Sequence, residues 1–233
     1  MKIFSKLNYF SKTEKFLWFT SIFFITLSFL IFDRINYMTL TASLIGVTAL
    51  IFCAKGNPFG QVLMIIFSAL YGVISYGFRY YGEMMTYVGM SGPMALVSLV
   101  TWLKNPYEKN KSEVRVNALS CKDIIPMVFS TLIVTVVFYF ILKHFNTNNL
   151  EISTLSITTS FIAVYLTAKR SEYFALAYAI NDIVLIGMWI MATLSDISYL
   201  SVIICFVVFL VNDIYSFLNW KKMRKRQQMA SKN

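Results

Sequence analysis

Two aspartates stand where a carboxyl is expensive to keep. Asp182 is the tenth residue of an otherwise apolar run, 173–193, beside Asn181, and shares a helical face with Tyr178 (i−4), Leu185 (i+3) and Trp189 (i+7). An ionisable group at the centre of a bilayer costs about 3 kcal/mol by insertion scales, so such a residue is a functional candidate by default. An aromatic, a carboxyl and a second aromatic on one stripe suit a flat ring, including a cationic one, through stacking, cation–π attraction and a charge-assisted hydrogen bond. The same residues also admit a packing reading, in which Asn181 and Asp182 hydrogen-bond neighbouring helices and the rings are core.

The dipeptide recurs as Asn212-Asp213 in the run 197–220, with Tyr215 and Asn219 after it. Asn212 is grouped with the binding residues, whereas Asp213, closer to the membrane face, is read as a gate. In the first half of the chain the position matching Asp182 is Ser68, followed on the same side by Tyr71 and Ser75. Ser68, Tyr71 and Gln61 complete the expected binding set, and any site is asymmetric in charge. Gly89-Met90-Ser91-Gly92-Pro93 interrupts another run, so Gly92 and Pro93 are candidate bend points, as is Pro58 in Asn57-Pro58-Phe59-Gly60, where Asn57 is expected to cap the turn.

Other chemistries find no support. The chain has no GxxxxGK[ST], HExxH or GxSxG motif. Its single histidine, His144, stands at the end of a run, and Cys53, Cys121 and Cys205 have no CxxC spacing. No cofactor, metal site or enzymatic activity is expected.

These residues sit on elements that the composition specifies. Of 233 residues 58% are hydrophobic, 17% aromatic and 14% charged, with a mean hydropathy of +0.64, which excludes disorder and an ordinary soluble protein. Eight runs are long enough to span a membrane as helices: 16–32, 36–54, 59–78, 84–103, 123–142, 151–168, 173–193 and 197–220. The first is read as a retained helix, since Phe32-Asp33-Arg34 is no signal-peptidase site. With both termini in the cytoplasm, 18 of the 21 Lys and Arg residues fall inside and only Arg34, Arg79 and Lys143 outside. The net charge of +10 is thus topological, and no nucleic-acid partner is implied.

The runs repeat. Leu50-Ile51-Phe52-Cys53-Ala54-Lys55 matches Val164-Tyr165-Leu166-Thr167-Ala168-Lys169, and each copy continues through a span, a short outer turn with one acid (Glu83, Asp196), and a span ending in Trp102 or Trp220 before lysine. The expected architecture is an all-α membrane protein with two parallel three-helix repeats joined by a linker helix (3+1+3), plus one extra N-terminal helix that needs no role in transport. Its parts are a terminus and extra helix (1–35), the first repeat (36–104), a solvated cytoplasmic linker (105–122), the linker helix (123–150), the second repeat (151–220) and a basic tail (221–233). The substrate site is expected at mid-membrane between the halves.

The parallel 3+1+3 order, the segment Ala54-Lys55-Gly56-Asn57-Pro58-Phe59-Gly60, the Tyr-Gly-Glu-Met turn at 81–84 and Lys169-Arg170 ahead of Asn181-Asp182 together resemble the PnuC family of nicotinamide riboside transporters, over roughly residues 36–222. The resemblance implies facilitated diffusion of a vitamin or nucleoside-like solute by a SWEET-like fold, a homotrimer in the bacterial inner membrane, and trapping of the substrate by a cytoplasmic kinase. Two features depart from the family. Where it carries Trp-x-x-Trp ahead of the aspartate, this chain has Ala175 and Tyr178, and Asn57 replaces a tryptophan before Pro-Phe-Gly. Thiamine, riboflavin or deoxynucleosides are the alternative cargoes, an ion-coupled carrier the alternative mechanism, and a membrane-embedded structural or sensory protein the alternative class.

Overall fold

The structure is a computed structural model and describes residues 9–77, 81–147, 149–194 and 196–230. Phe78 and Arg79, together with Lys2, Lys6 and Lys232 of the two ends, lie outside the described residues. Among the described residues, eight helical segments are long and apolar enough to cross a membrane. They are α1 (Lys12–Phe32), α2 (Tyr37–Ala54), α3 (Phe59–Gly77), a broken span made of α4 (Tyr81–Thr86), a π-helical turn (Tyr87–Ser91) and α5 (Gly92–Lys104), then α6 (Cys121–His144), α7 (Leu150–Ala168), α8 (Phe174–Thr193) and α9 (Leu200–Ala230).

The helices carry large apolar residues outward, and many of their buried positions are small or polar. Phe16, Phe19, Phe23, Leu27 and Leu30 on α1, and Ile125, Phe129, Leu132, Val136 and Phe140 on α6, are exposed at three- and four-residue spacing. The buried positions hold Ser43, Ser68, Ser75, Ser98, Asn181, Asp182, Asn212, Asp213 and Ser216. That inversion is what hydrocarbon solvent favours: the outer face needs no water, and small residues let helices approach closely.

Helices α1, α3, α6 and α8 begin, and α2, α5, α7 and α9 end, at one face of the bundle, here termed basal. At this face contacts recur at the 114-residue offset. Helices α2 and α7 close with the same motif: Gly56 N donates to Cys53 O (2.9 Å) and Asn57 N to Phe52 O (3.0 Å), as Arg170 N does to Thr167 O (2.9 Å) and Ser171 N to Leu166 O (3.0 Å). Gly56 and Arg170 are both left-handed, at φ +65° and +56°. Trp220 Nε1 donates to Cys53 O (2.8 Å) and Trp102 Nε1 to Thr167 O (2.9 Å), each tying the last helix of one copy to the first helix of the other.

Helix α1 enters the bundle much as α6 does. Ser11 and Glu14 form a capping box at its start, and Ser120 and Asp123 form one on α6. In each case the acid also pairs with the lysine that ends the next helix, Glu14 with Lys55 (3.2 Å) and Asp123 with Lys169 (3.0 Å). Further up, Trp18 Nε1 donates to Thr48 Oγ1 (3.1 Å), and Asn212 Nδ2 donates to the buried Ser21 Oγ (2.9 Å). The sequence gives this helix no task; in the fold it is fastened to α2 and α9.

The segment read as a solvated linker is folded instead. Residues Pro106–Tyr107 (β1) pair antiparallel with Asn110–Val114 (β2), and the hairpin docks on α9, which runs straight on past Trp220 to Ala230. Val114 is fully buried, and Glu113 receives Arg226 and Gln227. Charge complementarity causes the difference: the basic run after Trp220 finds the linker's acid, and an apolar residue beside it fills the space beneath.

Candidate functional site

A cavity runs up the bundle between the two halves. Along α7 it is lined from Ser153 to Thr167, roughly 21 Å of helix at 1.5 Å per residue. Its volume of about 150 Å³ holds on the order of ten waters, which suits a small solute.

Of the residues expected to bind, Tyr178, Asn181, Asp182, Trp189, Ser68, Tyr71 and Gln61 all line this cavity. Asp213, read as a gate, lines it too. Asn212 does not: its side chain turns away to Ser21 of α1, because the residue before an inward-facing Asp213 points about 100° off that direction. Asn57 accepts from Phe59 N (2.9 Å) as a turn cap, and Pro58 precedes α3, where its missing N–H costs nothing. Gly92 and Pro93 lie outside the cavity, immediately after the π-helical turn, and Gly92 N bonds back to Tyr87 O. The turn itself brings Tyr87 and Ser91 to the cavity wall.

Several lining residues escaped the sequence reading. Glu83 was read in an outer turn, yet the helix already starts at Tyr81, so Glu83 sits in its first turn and lines the cavity. Phe67, Tyr87, Phe174, Phe209 and Ser98 belong to the wall as well. Their types are those of any buried helix, so only tertiary placement singles them out. Ser98 alone leaves a trace, four residues before Trp102 as Ser216 is four before Trp220.

The wall is aromatic on both sides. Tyr71 lies 4.7 Å from Phe67 and 5.0 Å from Tyr87 between ring centroids, and Phe67 lies 6.2 Å from Phe209. Gly46 makes this cluster possible, since a Cβ there would stand 2.8 Å from both Phe67 and Phe209. On the opposite side the Tyr178 ring packs at 6.3 Å from Phe174.

The polar groups among these rings are unevenly satisfied. Asn181 Oδ1 accepts from Thr159 (2.8 Å) and Ser160 (3.0 Å), so what it can offer a ligand is its amide NH₂. By contrast Asp182 Oδ2, Asp213 Oδ1, Ser68 Oγ and Ser98 Oγ are buried without a hydrogen-bond partner, and all four residues line the cavity. Buried polar atoms are rarely left so, and four around one space offer donors and acceptors that water or a polar ligand can complete. The cavity's charge is one-sided: Glu83, Asp182 and Asp213 face it, and none of the described residues that line it is Lys, Arg or His.

Known proteins resemble this chain in sequence and in fold. The nicotinamide riboside transporter PnuC of Neisseria mucosa is 25% identical over 201 residues, covering 84% of this chain and 76% of that protein. The protein of the same name from Haemophilus influenzae is 21% identical over 193 residues, 82% of each. A crystal structure of the vitamin B3 transporter PnuC superposes with a TM-score of 0.79 at 22% identity, over 94% of both chains. A family model described as nicotinamide mononucleotide transporter matches residues 36–222. That match covers both halves and every residue of the cavity wall, and the chain belongs to this family of membrane transporters.

Proposed function

We propose that this chain carries nicotinamide riboside across the membrane by facilitated diffusion. The observation that carries the choice of substrate is the charge of the cavity, three carboxyls and no cationic side chain among the described residues that line it. Nicotinamide riboside presents a pyridinium cation, a carboxamide and ribose hydroxyls. The pyridinium stacks on an aromatic ring of the wall such as Tyr178, with Asp182 one helical turn away as counter-charge, and the carboxamide and hydroxyls meet Asn181, Ser68 and Gln61. The mononucleotide that gives the family its description adds a phosphate, which here would be desolvated among carboxylates with no partner. The riboside fits this wall and the mononucleotide does not.

The basal face belongs in the cytoplasm on the distribution of Lys and Arg, with the protein in the bacterial inner membrane. The matched basal contacts support a SWEET-like mechanism in which the two three-helix bundles rock about the cavity, with the π-helical turn before Gly92 and Pro93 as the flexible point. A uniporter only equilibrates its solute, so net uptake draws on a cytoplasmic kinase, and the family resemblance favours a homotrimer. Counterflow in proteoliposomes without ion gradients tests the reading: exchange of labelled nicotinamide riboside against internal riboside, but not against the mononucleotide, is expected. Exchange that requires a proton or sodium gradient, or that prefers the mononucleotide, would overturn it.

A further inference from the structure

At its basal end the cavity stops at Cys53 and Phe174, and a dry layer lies beneath. Trp102 and Trp220 are fully buried there with ring centroids 5.4 Å apart, and Phe174 stands 4.8 Å from Trp220. Neither tryptophan lines the cavity, so they form its floor. Each spends its only polar atom on a carbonyl of the opposite copy, Trp102 on Thr167 and Trp220 on Cys53. These two bonds cross the two seams between the halves, α5 against α7 and α9 against α2.

The folded linker spans the same seams from below. Val114 N donates to Gly56 O (2.9 Å), the corner of the first copy, and Asn117 N donates to Arg170 O (3.0 Å), the corner of the second. Glu113 accepts from Arg226 and from Gln227 Nε2 (2.7 Å), while Gln227 Oε1 accepts from Val116 N (2.9 Å). Two halves that part at this face must break both tryptophan bonds and one side of the linker's grip.

We propose that Trp102 and Trp220 are the paired gate residues of the basal exit, released together when the halves part, and that residues 113–117, gripped by the end of α9, are the strap that holds them shut. The proposal rests on the reading above for the exit's role in transport. Its physical basis is that a ring pair with satisfied N–H groups makes a water-tight seal. An N–H that leaves its carbonyl before water can reach it is a buried unpaired donor, so partly opened arrangements are disfavoured. Equal contacts at both seams also make the halves open in concert.

The chain carries its own reporter. Cys53 faces the cavity immediately above the floor, and is 4% exposed with the gate shut. With Cys121→Ser and Cys205→Ser as background, a membrane-impermeant maleimide applied to the basal side labels Cys53 only while the gate is open. Trp102→Phe and Trp220→Phe keep the rings and remove the donors. Each is expected to raise the basal-side labelling rate by a similar factor, about threefold, and the double variant more than tenfold, with no gain from the opposite side. An unchanged rate in a folded double variant, or a gain equal from both sides, would overturn the proposal. Should the double variant not fold, Glu113→Gln reads the strap: faster basal labelling supports the proposal, and an unchanged rate in folded protein defeats it. Labelling needs no substrate, so failure of riboside counterflow with a normal labelling pattern would sink the choice of cargo and leave the gate standing.

Discussion

Gly56 and Arg170 stand 114 residues apart and share one left-handed backbone conformation, while Ser68 and Asp182, also 114 apart, face the same cavity with different chemistry. The basal corners of the two copies agree contact by contact; the walls they carry do not. On the gate proposed above, corners close and open together, which rewards sameness, whereas a solute with a charged ring at one end and a sugar at the other has no two-fold symmetry for the walls to match. On that proposal the difference separates residues that move the protein from residues that hold its cargo.

The sharpest way to break the comparison is at the corner lysines. Glu14 is 3% exposed and Lys55 20%, against 18% and 38% for Asp123 and Lys169. Lys55→Gln leaves a buried carboxylate short of its counter-charge and is expected to destabilise by about 3 kcal/mol, at the low end for a buried pair, because Tyr215 and Ser11 still donate to Glu14. Lys169→Gln, at the more exposed corner, is expected to cost below about 1 kcal/mol. Thermal unfolding in detergent measures both, and equal losses would mean that burial is not what distinguishes the corners.

At the walls the contrast should appear in transport. Asp182→Asn is expected to lower riboside uptake about 100-fold, close to 3 kcal/mol, and Ser68→Ala about threefold, since a charge-assisted bond exceeds a neutral one. Uptake kinetics at matched expression decide it, and similar losses at the two positions would make the site symmetric after all. Backbone substitutions test the sameness of the corners. Gly56→Ala should destabilise by about 1 kcal/mol or more, its new Cβ lying 3.0 Å from Met223 and 3.2 Å from Val114 at positive φ. Arg170→Gly should relieve the same strain and stabilise by about 0.5 kcal/mol. A melt that moves the other way at either position would show that the two corners differ in strain.

The smallest expected effect is in pH. The Asp123 carboxylate accepts from Lys169 and holds the lysine's pKa above its ordinary value, so the pair's stabilisation is complete below the free-lysine value, about 10.4, and is lost as pH rises through the higher folded value. The gap in melting temperature between wild type and Lys169→Gln should stay constant to about pH 10 and then narrow. A gap that closes below pH 9 would reassign it to another group.

Much of this protein was legible in a single chain. Spans appear because hydrocarbon admits only apolar faces; Asp182, Tyr178 and Trp189 appear because a carboxyl at that depth is costly and so a functional candidate; and the Leu50–Lys55 and Val164–Lys169 match exposes the corners. Asn212 shows where such reading fails: in type and depth it resembles Asn181, yet it turns to Ser21 and away from the cavity. A helix one-dimensionally ordered in sequence does not say which of its faces meets which neighbour.

What the sequence by itself determined is therefore the set of eight membrane segments, the internal repeat and the family, all of which rest on local composition and spacing. Only the tertiary structure decided that Glu83 reaches the cavity, that α1 is fastened to α9, that the linker is folded against residues more than a hundred positions away, and that Trp102 and Trp220 meet as the floor. Each of those is a contact between segments far apart in the chain, and it exists because two surfaces complete each other's packing or hydrogen bonds, a property that belongs to neither segment alone.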